Sequence, residues 1–472
     1  MYASVPSAVL FCAEGHLIHV EVQVSAGLPG FSLVGLPDVS IRESRDRARA
    51  AVISSGHPWP KHKITVNLAP SGDRKAGSGL DLAIAVAVLA ASGVIPAETL
   101  RDLAFIGELG LDGSLRPVNG VAPMVGAIGE RDVVVPIASA AEAAVAALGR
   151  VRLVADLGEV VDALLGLAPW PDHEPAQRAD DVPRPEPDLA DVQGQPVARQ
   201  ALEVAAAGGH HTLFIGPPGA GKTMLASRLP GLLPPLDRDT ALEVTMVHSA
   251  SGIALPPGGL VRTPPFRAPH HTTSQTALVG GGSQIIRPGE VSIAHGGVLF
   301  MDELAEFAPS VLDGLRQPLE SRSVQVVRTG IRAVLPADFL LVAAMNPCPC
   351  GYLGDKQADC RCSRERVTTY RNKVSGPLLD RIDLHVEILR PPMALLRDGA
   401  QASEDSATVR ARVARAWQAQ RDRAGVANAL LAGDELSVAC ALDDQGWALL
   451  EAAADRFNLS ARAHQRILRV SR

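Results

Sequence analysis

The run GPPGAGKT, Gly216 to Thr223, follows the pattern G-x-x-x-x-G-K-[ST] and sits between an apolar strand pattern ending at Ile215 and a helical pattern after Lys222. Such a loop turns its backbone N–H groups toward phosphates, its lysine pairs with the β and γ phosphates, and its hydroxyl ligates Mg²⁺. Gly216, Pro217, Pro218, Gly219, Ala220, Gly221, Lys222 and Thr223 are therefore the candidate nucleotide-binding residues, with ATP and Mg²⁺ as cofactors. A glycine-rich surface turn is the plainer reading, but it leaves the buried strand before it unexplained.

A second apolar strand pattern, Val298 to Met301, delivers Asp302 and Glu303 at its end, where an open sheet places its ligands. Asp302 would share Mg²⁺ with Thr223, and Glu303 would polarise the attacking water. Taken alone, the same acidic pair could be a helix cap. A third strand pattern, Phe339 to Met345, ends in Asn346, whose amide could orient that water or the γ-phosphate; the alternative is a turn residue before Pro347. Arg381 and Arg462 are candidate phosphate-contacting arginines, one from a neighbouring subunit and one from a C-terminal helix, and position alone leaves them equally readable as solvated side chains.

Four of six cysteines, Cys348, Cys350, Cys360 and Cys362, are spaced C-x-C-x9-C-x-C. Four thiolates could complete a tetrahedral Zn²⁺ site, although the one-residue spacings are tighter than usual, and unpaired thiols on a loop are the alternative. Arg364, Arg366 and Arg371 follow closely and could contact DNA from such a loop. Val324 to Val334 has β-like residues on either side of Thr329 and Gly330 and reads as a hairpin carrying Arg328 and Arg332 near its tip. Basic tips suit a phosphodiester backbone. A solvated hairpin is the bland reading, as it is for the arginine-rich pattern Val409 to Arg423. The adjacent His270 and His271 cannot both face one metal from a strand and are assigned no ligand role.

The elements that must position these residues fall into four stretches. Residues 1 to 167 mix β-like and helical runs and predict an α+β domain; 168–188 is rich in proline and acid and reads as a linker; 189–390 alternates strand and helix, which implies a parallel α/β sheet. The cysteine segment, 346–373, is an insert in that core, and 391–472 is almost wholly helical, a small lid. The last helical pattern reaches Arg472 without a stop signal, so the chain is expected to be cut short there. The 43 glycines and 36 prolines among 472 residues point to tight turns in a multidomain globular chain. A net charge of −6 argues against indiscriminate coating of nucleic acid, while leaving room for a local basic channel. The N-terminus shows no secretory signal, and Leu82 to Ala91 is too short to span a bilayer, so a cytoplasmic protein without membrane contact is expected.

The order of phosphate loop, acidic strand, Asn strand, LLDRIDLHVEI and SAR resembles an AAA+ ATPase of the magnesium-chelatase branch. More closely, FRAPHHTTSQTALVGGGSQIIRPGEVSIAHGGVLFMDELAEF, GLPGFSLVGLPDVSIRESRDR and NPCPCGYLGD resemble the ComM/YifB family of Mg-chelatase-like ATPases. By that resemblance Asp191 to Gln195 would sit at the adenine, Asn346 would be sensor 1, Arg381 an arginine finger acting in trans and Arg462 sensor 2. The resemblance implies self-association into a ring, expected to be a hexamer, and a translocase or helicase on single-stranded or branched DNA that promotes branch migration in recombination and natural transformation. The hairpin would then enter the pore. The N-terminal stretch resembles the peptidase domain of Lon, a ribosomal S5 domain 2-like fold, through RKAGSGLDLAIAVAVLAASG and GELGLDGSLRPVNGV. Its serine place falls on Gly79, with Ser78 one residue off, and its lysine place on Ala122, so a binding or assembly module is expected rather than a protease. The competing readings are the motor subunit of a metal chelatase and a remodelling ATPase without a DNA substrate.

Overall fold

The computed structural model describes residues 1–70, 75, 77–174, 187–282, 286–328, 331–391 and 403–472, with no side-chain description at 39, 327, 328 and 331. Most of the expected linker, the Thr329–Gly330 hairpin tip and the Arg328 side chain thus lie outside the described residues. Two compact units result: Met1–Pro183 with Arg238–Val261 and Gly281–Pro288, and Arg184–Asp237 with Arg262–Gly280 and Gly289–Arg472.

In the first unit the strands Tyr2–Phe11, Glu14–Ser25, Lys63–Ala69 and Gly30–Val34 lie side by side in that order, antiparallel except for the last, parallel pair. Alternation along Glu14–Ser25 buries Ile18, Val20, Val22 and Val24 on one face. That face meets Asp81–Ala91, a helix whose every residue is buried, as a segment apolar all round must be. A second, parallel sheet joins Leu103–Phe105, Asp132–Pro136 and Val151–Val154.

The fully buried Asp81 at the start of that helix is matched by Arg47, whose Nε donates to Asp81 at 2.6 Å and whose Nη2 donates at 3.1 Å, with Leu109 N donating at 3.2 Å. Burial pushes the Asp81 carboxyl up, and the guanidinium works against that shift. Removing one partner of a buried pair strands the other, so Arg47→Met is expected to cost the full-length chain about 3 kcal/mol in urea unfolding at neutral pH. The stranded Asp81 would ionise only above its unfolded pKa, so the loss should shrink as pH falls into the carboxylate range.

The helix Arg238–Ala250 lies inside the stretch read from sequence as ATPase core, yet it belongs to the first unit, where it packs against Val121–Ile128. Gly120 N donates to Ser249 O at 3.0 Å, and Ala122 N donates to Ser249 Oγ at 3.3 Å and to Glu142 at 3.2 Å. The compact unit therefore differs from the linear division at Ala168, because an apolar helix face is buried wherever a complementary surface exists, irrespective of chain order.

The second unit is built on a parallel sheet in the order Phe266–Arg267, Val298–Met301, Leu340–Met345, Thr212–Ile215, Leu384–Glu387. Its inner strands Val298–Met301 and Leu340–Met345 are apolar throughout, as strands covered on both faces must be. Thr212–Ile215, the earliest in the chain, lies between the two latest, so the order reverses beside it; such a switch point leaves a crevice at the carboxyl ends of the strands. This mixed α/β unit with a parallel sheet is consistent with a P-loop AAA+ domain.

The C-terminal region is helical: Ser406–Ala424, Gly433–Ala439, Asp444–Phe457 and Ala461–Ser471, with Asp405, Asp443 and Ser460 each capping the helix that follows. Val409 and Val413 join the core beneath the sheet, and Trp417 Nε1 donates to Ala206 O at 2.8 Å. Several arginines of this helix are engaged within the fold: Arg412 with Glu203 at 2.6 Å and Glu404 at 2.7 Å, and Arg410 with Gly231 O at 2.6 Å. Among the described residues no helix is long and apolar enough to cross a membrane.

Candidate nucleotide and cysteine sites

The loop from Gly216 to Gly221 leaves the end of Thr212–Ile215 and enters the helix that begins at Lys222. A Cβ on Gly216 would stand 2.2 Å from Ile388 O, so only glycine allows the loop to start this close to its neighbour. Gly219 and Gly221 have φ of 75° and 89°, the left-handed turns that wrap the loop's backbone around a concavity. Lys222 is buried, and its ammonium donates to Gly216 O at 2.6 Å, Pro217 O at 3.0 Å and Asn346 Oδ1 at 3.1 Å. Burial lowers its pKa from the usual lysine value.

The helix begun by Lys222 turns Thr223 Oγ1 toward Asp302, to which it donates at 2.7 Å. Asp302 also accepts from Glu303 N at 2.9 Å. Glu303 itself takes a left-handed backbone, φ 52° and ψ 47°, a strained setting for a non-glycine residue. Such strain is found where a side chain must be aimed, here off the strand end toward His271. The Glu303 carboxylate lies 3.3 Å from His271 Nδ1.

His271 stacks on His270, with centroids 4.1 Å apart, and meets the edge of Phe307 at 6.4 Å. The sequence reading assigned His271 no ligand role and did not anticipate its place beside Glu303. The parallel register pairs Phe266 with Val298 and Arg267 with Leu299. His271 lies in the turn beyond that strand, and no local pattern in the sequence signals its approach to Glu303.

The remaining sequence candidates fall as follows. Gln195, expected near an adenine, is buried and spends its amide on Leu389 O at 2.7 Å and Ala220 O at 3.2 Å, tying the phosphate loop to the segment after the edge strand. Arg381 is engaged by Glu320 and by Pro377 O within its own unit. Arg462 is exposed in the first turn of Ala461–Ser471. One turn on, Arg466 reaches Ile382 O at 2.7 Å and Leu379 O at 3.4 Å, and so binds the segment that carries Arg381. The hairpin pairs Ser323–Arg328 with Ile331–Pro336 and leaves Arg332 exposed. Arg364 and Arg366 are exposed on Arg364–Arg371, while Arg371 Nε donates to Pro347 O at 3.2 Å.

In the first unit a Cβ at Gly79 would meet only Val118, Ile106 and Met124, and the fully buried Ala122 offers its N–H alone to Ser249 and Glu142. Neither position carries a nucleophile or a base.

Sulfur atoms of Cys348, Cys350, Cys360 and Cys362 all lie within 4.8 Å of one another, an arrangement compatible with a zinc site. Main-chain N–H groups of Tyr352 and Arg361 hold the Cys350 thiol well below the usual range, at about 6.

The family described as "Magnesium chelatase, subunit ChlI" matches residues 188–395, "Subunit ChlI of Mg-chelatase" matches 20–139, and its C-terminal counterpart matches 403–472. The uncharacterized protein YifB of Salmonella typhimurium is 45% identical across 96% of this chain and 89% of its own length. The competence protein ComM of Haemophilus influenzae is 42% identical across 97% of this chain and 90% of its own length. The chain belongs to the ComM/YifB family of Mg-chelatase-like ATPases. Likeness to a magnesium-chelatase 67 kDa subunit of Chlorobaculum parvum is lower, 28% over 34% of this chain. Membership of an AAA+ family implies ATPase activity with ATP and Mg²⁺, and the described groups fit both. A buried ammonium faces a glycine loop, and two hard oxygen donors of the kind a magnesium ion takes, Thr223 Oγ1 and Asp302 Oδ2, stand together.

Proposed function

We propose that the chain is the subunit of an ATP-hydrolysing ring motor that acts on DNA, as a translocase or helicase promoting branch migration in recombination and competence. The observation that carries the ATPase half is the meeting of Lys222, Asn346, Thr223, Asp302 and Glu303 at the carboxyl ends of neighbouring parallel strands. In this reading Lys222 holds the β and γ phosphates, Thr223 and Asp302 hold Mg²⁺, and Asn346 fixes the lysine and the attacking water. Mg²⁺, when bound, neutralises charge on the phosphates. Glu303 accepts the proton of the attacking water, and Arg381 of a neighbouring subunit stabilises the charge that develops on the transferred phosphoryl group. Arg462 would contact phosphate from the C-terminal helices.

Support for DNA comes from the competence protein ComM at 42% identity and from the exposed cations Arg332, Arg364 and Arg366. A chain that binds phosphodiesters through such residues releases counterions, so its affinity must fall steeply with salt. In fluorescence anisotropy with a labelled single strand and a four-way junction, a non-hydrolysable ATP analogue is expected to promote binding that weakens with salt. Arg364→Ala with Arg366→Ala should flatten that salt slope by about two phosphate contacts. Absence of binding to either DNA in the presence of nucleotide would remove DNA as the substrate. It would leave the remodelling ATPase, or the chelatase motor, which is disfavoured because the Lon-like stretch and the cysteine cluster resemble ComM/YifB proteins rather than chelatase subunits.

The N-terminal residues 1–167 are proposed to form a ribosomal S5 domain 2-like, Lon-related module without proteolytic activity, a reading supported by the resemblance, in which the serine place falls on Gly79 and the lysine place on Ala122. Casein hydrolysis abolished by Ser78→Ala would contradict this. A cytoplasmic location and a hexameric ring belong to the same proposal.

A further inference from the structure

We propose that Cys348, Cys350, Cys360 and Cys362 bind one Zn²⁺ through four thiolates, and that the resulting knuckle braces the Pro217–Pro218 side of the phosphate loop, so that nucleotide affinity depends on the metal. The proposal rests on the nucleotide reading above.

Three sulfur pairs are 3.4, 3.6 and 3.6 Å apart: Cys348 with Cys350, Cys348 with Cys360, and Cys350 with Cys360. A tetrahedron with Zn–S of about 2.3 Å has edges of about 3.8 Å, so these three sulfurs need to spread by only a few tenths of an ångström, and Cys362 Sγ, within 4.8 Å of the others, is in reach of the fourth corner. Cys348 is buried, and all six cysteines are free of disulfides.

The knuckle is joined to the nucleotide site at both ends of its first pair of ligands. Cys348 follows Asn346, the Lys222 partner, by two residues. On the other side of Cys350, Gly351 turns with φ 85°, and a Cβ there would come within 2.6 Å of Pro218. The two loops therefore touch with no room between them.

Arg390 closes the arrangement. Its Nη2 donates to Pro218 O at 3.2 Å, its Nε lies 3.5 Å from the nearly buried carboxylate of Asp355, and its guanidinium sits 5.5 Å from the Tyr352 ring centroid. Asp355 and Tyr352 both belong to the loop between Cys350 and Cys360. One guanidinium thus spans the knuckle and the phosphate loop. A metal that fixes the knuckle fixes Tyr352 and Asp355, hence Arg390, hence the carbonyl at Pro218 beside the phosphates. Outer-shell contacts of this kind typically change affinity by about 10–100-fold when broken.

The test uses the full chain purified in reducing buffer without chelators. Elemental analysis should return one zinc per chain. Titration with a fluorescent ADP analogue should show about tenfold or greater weakening after the metal is stripped, with recovery on adding Zn²⁺ alone, circular dichroism being unchanged throughout. Arg390→Ala keeps all four ligands; it should retain the zinc and weaken nucleotide binding to a similar degree, as should Gly351→Ala. A zinc content near zero overturns the metal site. One zinc per chain with undiminished affinity after stripping overturns the brace, and undiminished affinity in Arg390→Ala overturns the route through that residue. A zinc-loaded chain that binds no nucleotide at all sinks the nucleotide reading, and the brace with it, while the metal content stands as a separate result.

Discussion

Glu303→Gln is expected to leave binding of ATP and Mg²⁺ close to that of the parent chain and to slow hydrolysis by about 10²–10⁴-fold, the contribution of a positioned general base. The substitution keeps the shape of the side chain and removes the carboxylate that would take the proton. Binding should survive because the groups proposed to hold ATP and Mg²⁺ are untouched: Lys222 is held by Gly216 O and Asn346, and Thr223 donates to Asp302, all without Glu303's side chain. Single-turnover phosphate release separates the two effects. Retained turnover would show that water is activated by another group.

Arg381→Ala carries the other large expectation, a loss of about 10³–10⁵-fold in turnover, the range for an arginine that meets the transferring phosphoryl group. Within one chain the Arg381 guanidinium is held by Glu320 and the Pro377 carbonyl, while Arg466 ties the same segment to the last helix. A purely structural role for Arg381 predicts lower stability with nucleotide affinity lost in proportion. A phosphate-contacting role predicts near-normal affinity and a fall confined to turnover. Measuring the ADP affinity, the unfolding midpoint and the turnover of the variant distinguishes the two.

The parts of the site that could be read in the sequence are those whose chemistry is contiguous. A glycine loop with its lysine and threonine is one short segment between a strand and a helix, and an apolar strand ending in Asp302 and Glu303 carries its own punctuation. Contacts between separate strands were harder to see. Asn346 meets Lys222 because Leu340–Met345 is the parallel neighbour of Thr212–Ile215, and no local pattern states which strands are neighbours. His271 reaches Glu303 from the turn that follows the short strand Phe266–Arg267.

The resemblance puts Gln195 at the adenine, but the carbonyls its amide binds, at Ala220 and Leu389, come from segments 25 and 194 residues away. The helix Arg238–Ala250 shows the same limit at the scale of the fold. It lies in the stretch expected to belong to the ATPase core, whereas the helix it packs against, Val121–Ile128, lies more than a hundred residues earlier. Arg390 was not anticipated, since a single arginine before a proline gives no sign that it joins two loops.

The central claim is a ring ATPase whose site is completed by the adjacent subunit, and mixing two inactive chains tests it most directly. Glu303→Gln lacks the base but supplies Arg381; Arg381→Ala lacks the arginine but supplies the base. In a ring of heterologous contacts, about a quarter of the interfaces formed by an equal mixture would join an intact Glu303 to an intact Arg381. The account predicts that turnover reappears on mixing, at roughly that fraction of the parent rate, and rises with protein concentration as rings assemble. A mixture no more active than its two components, under conditions where the parent chain assembles and hydrolyses ATP, would contradict a shared site.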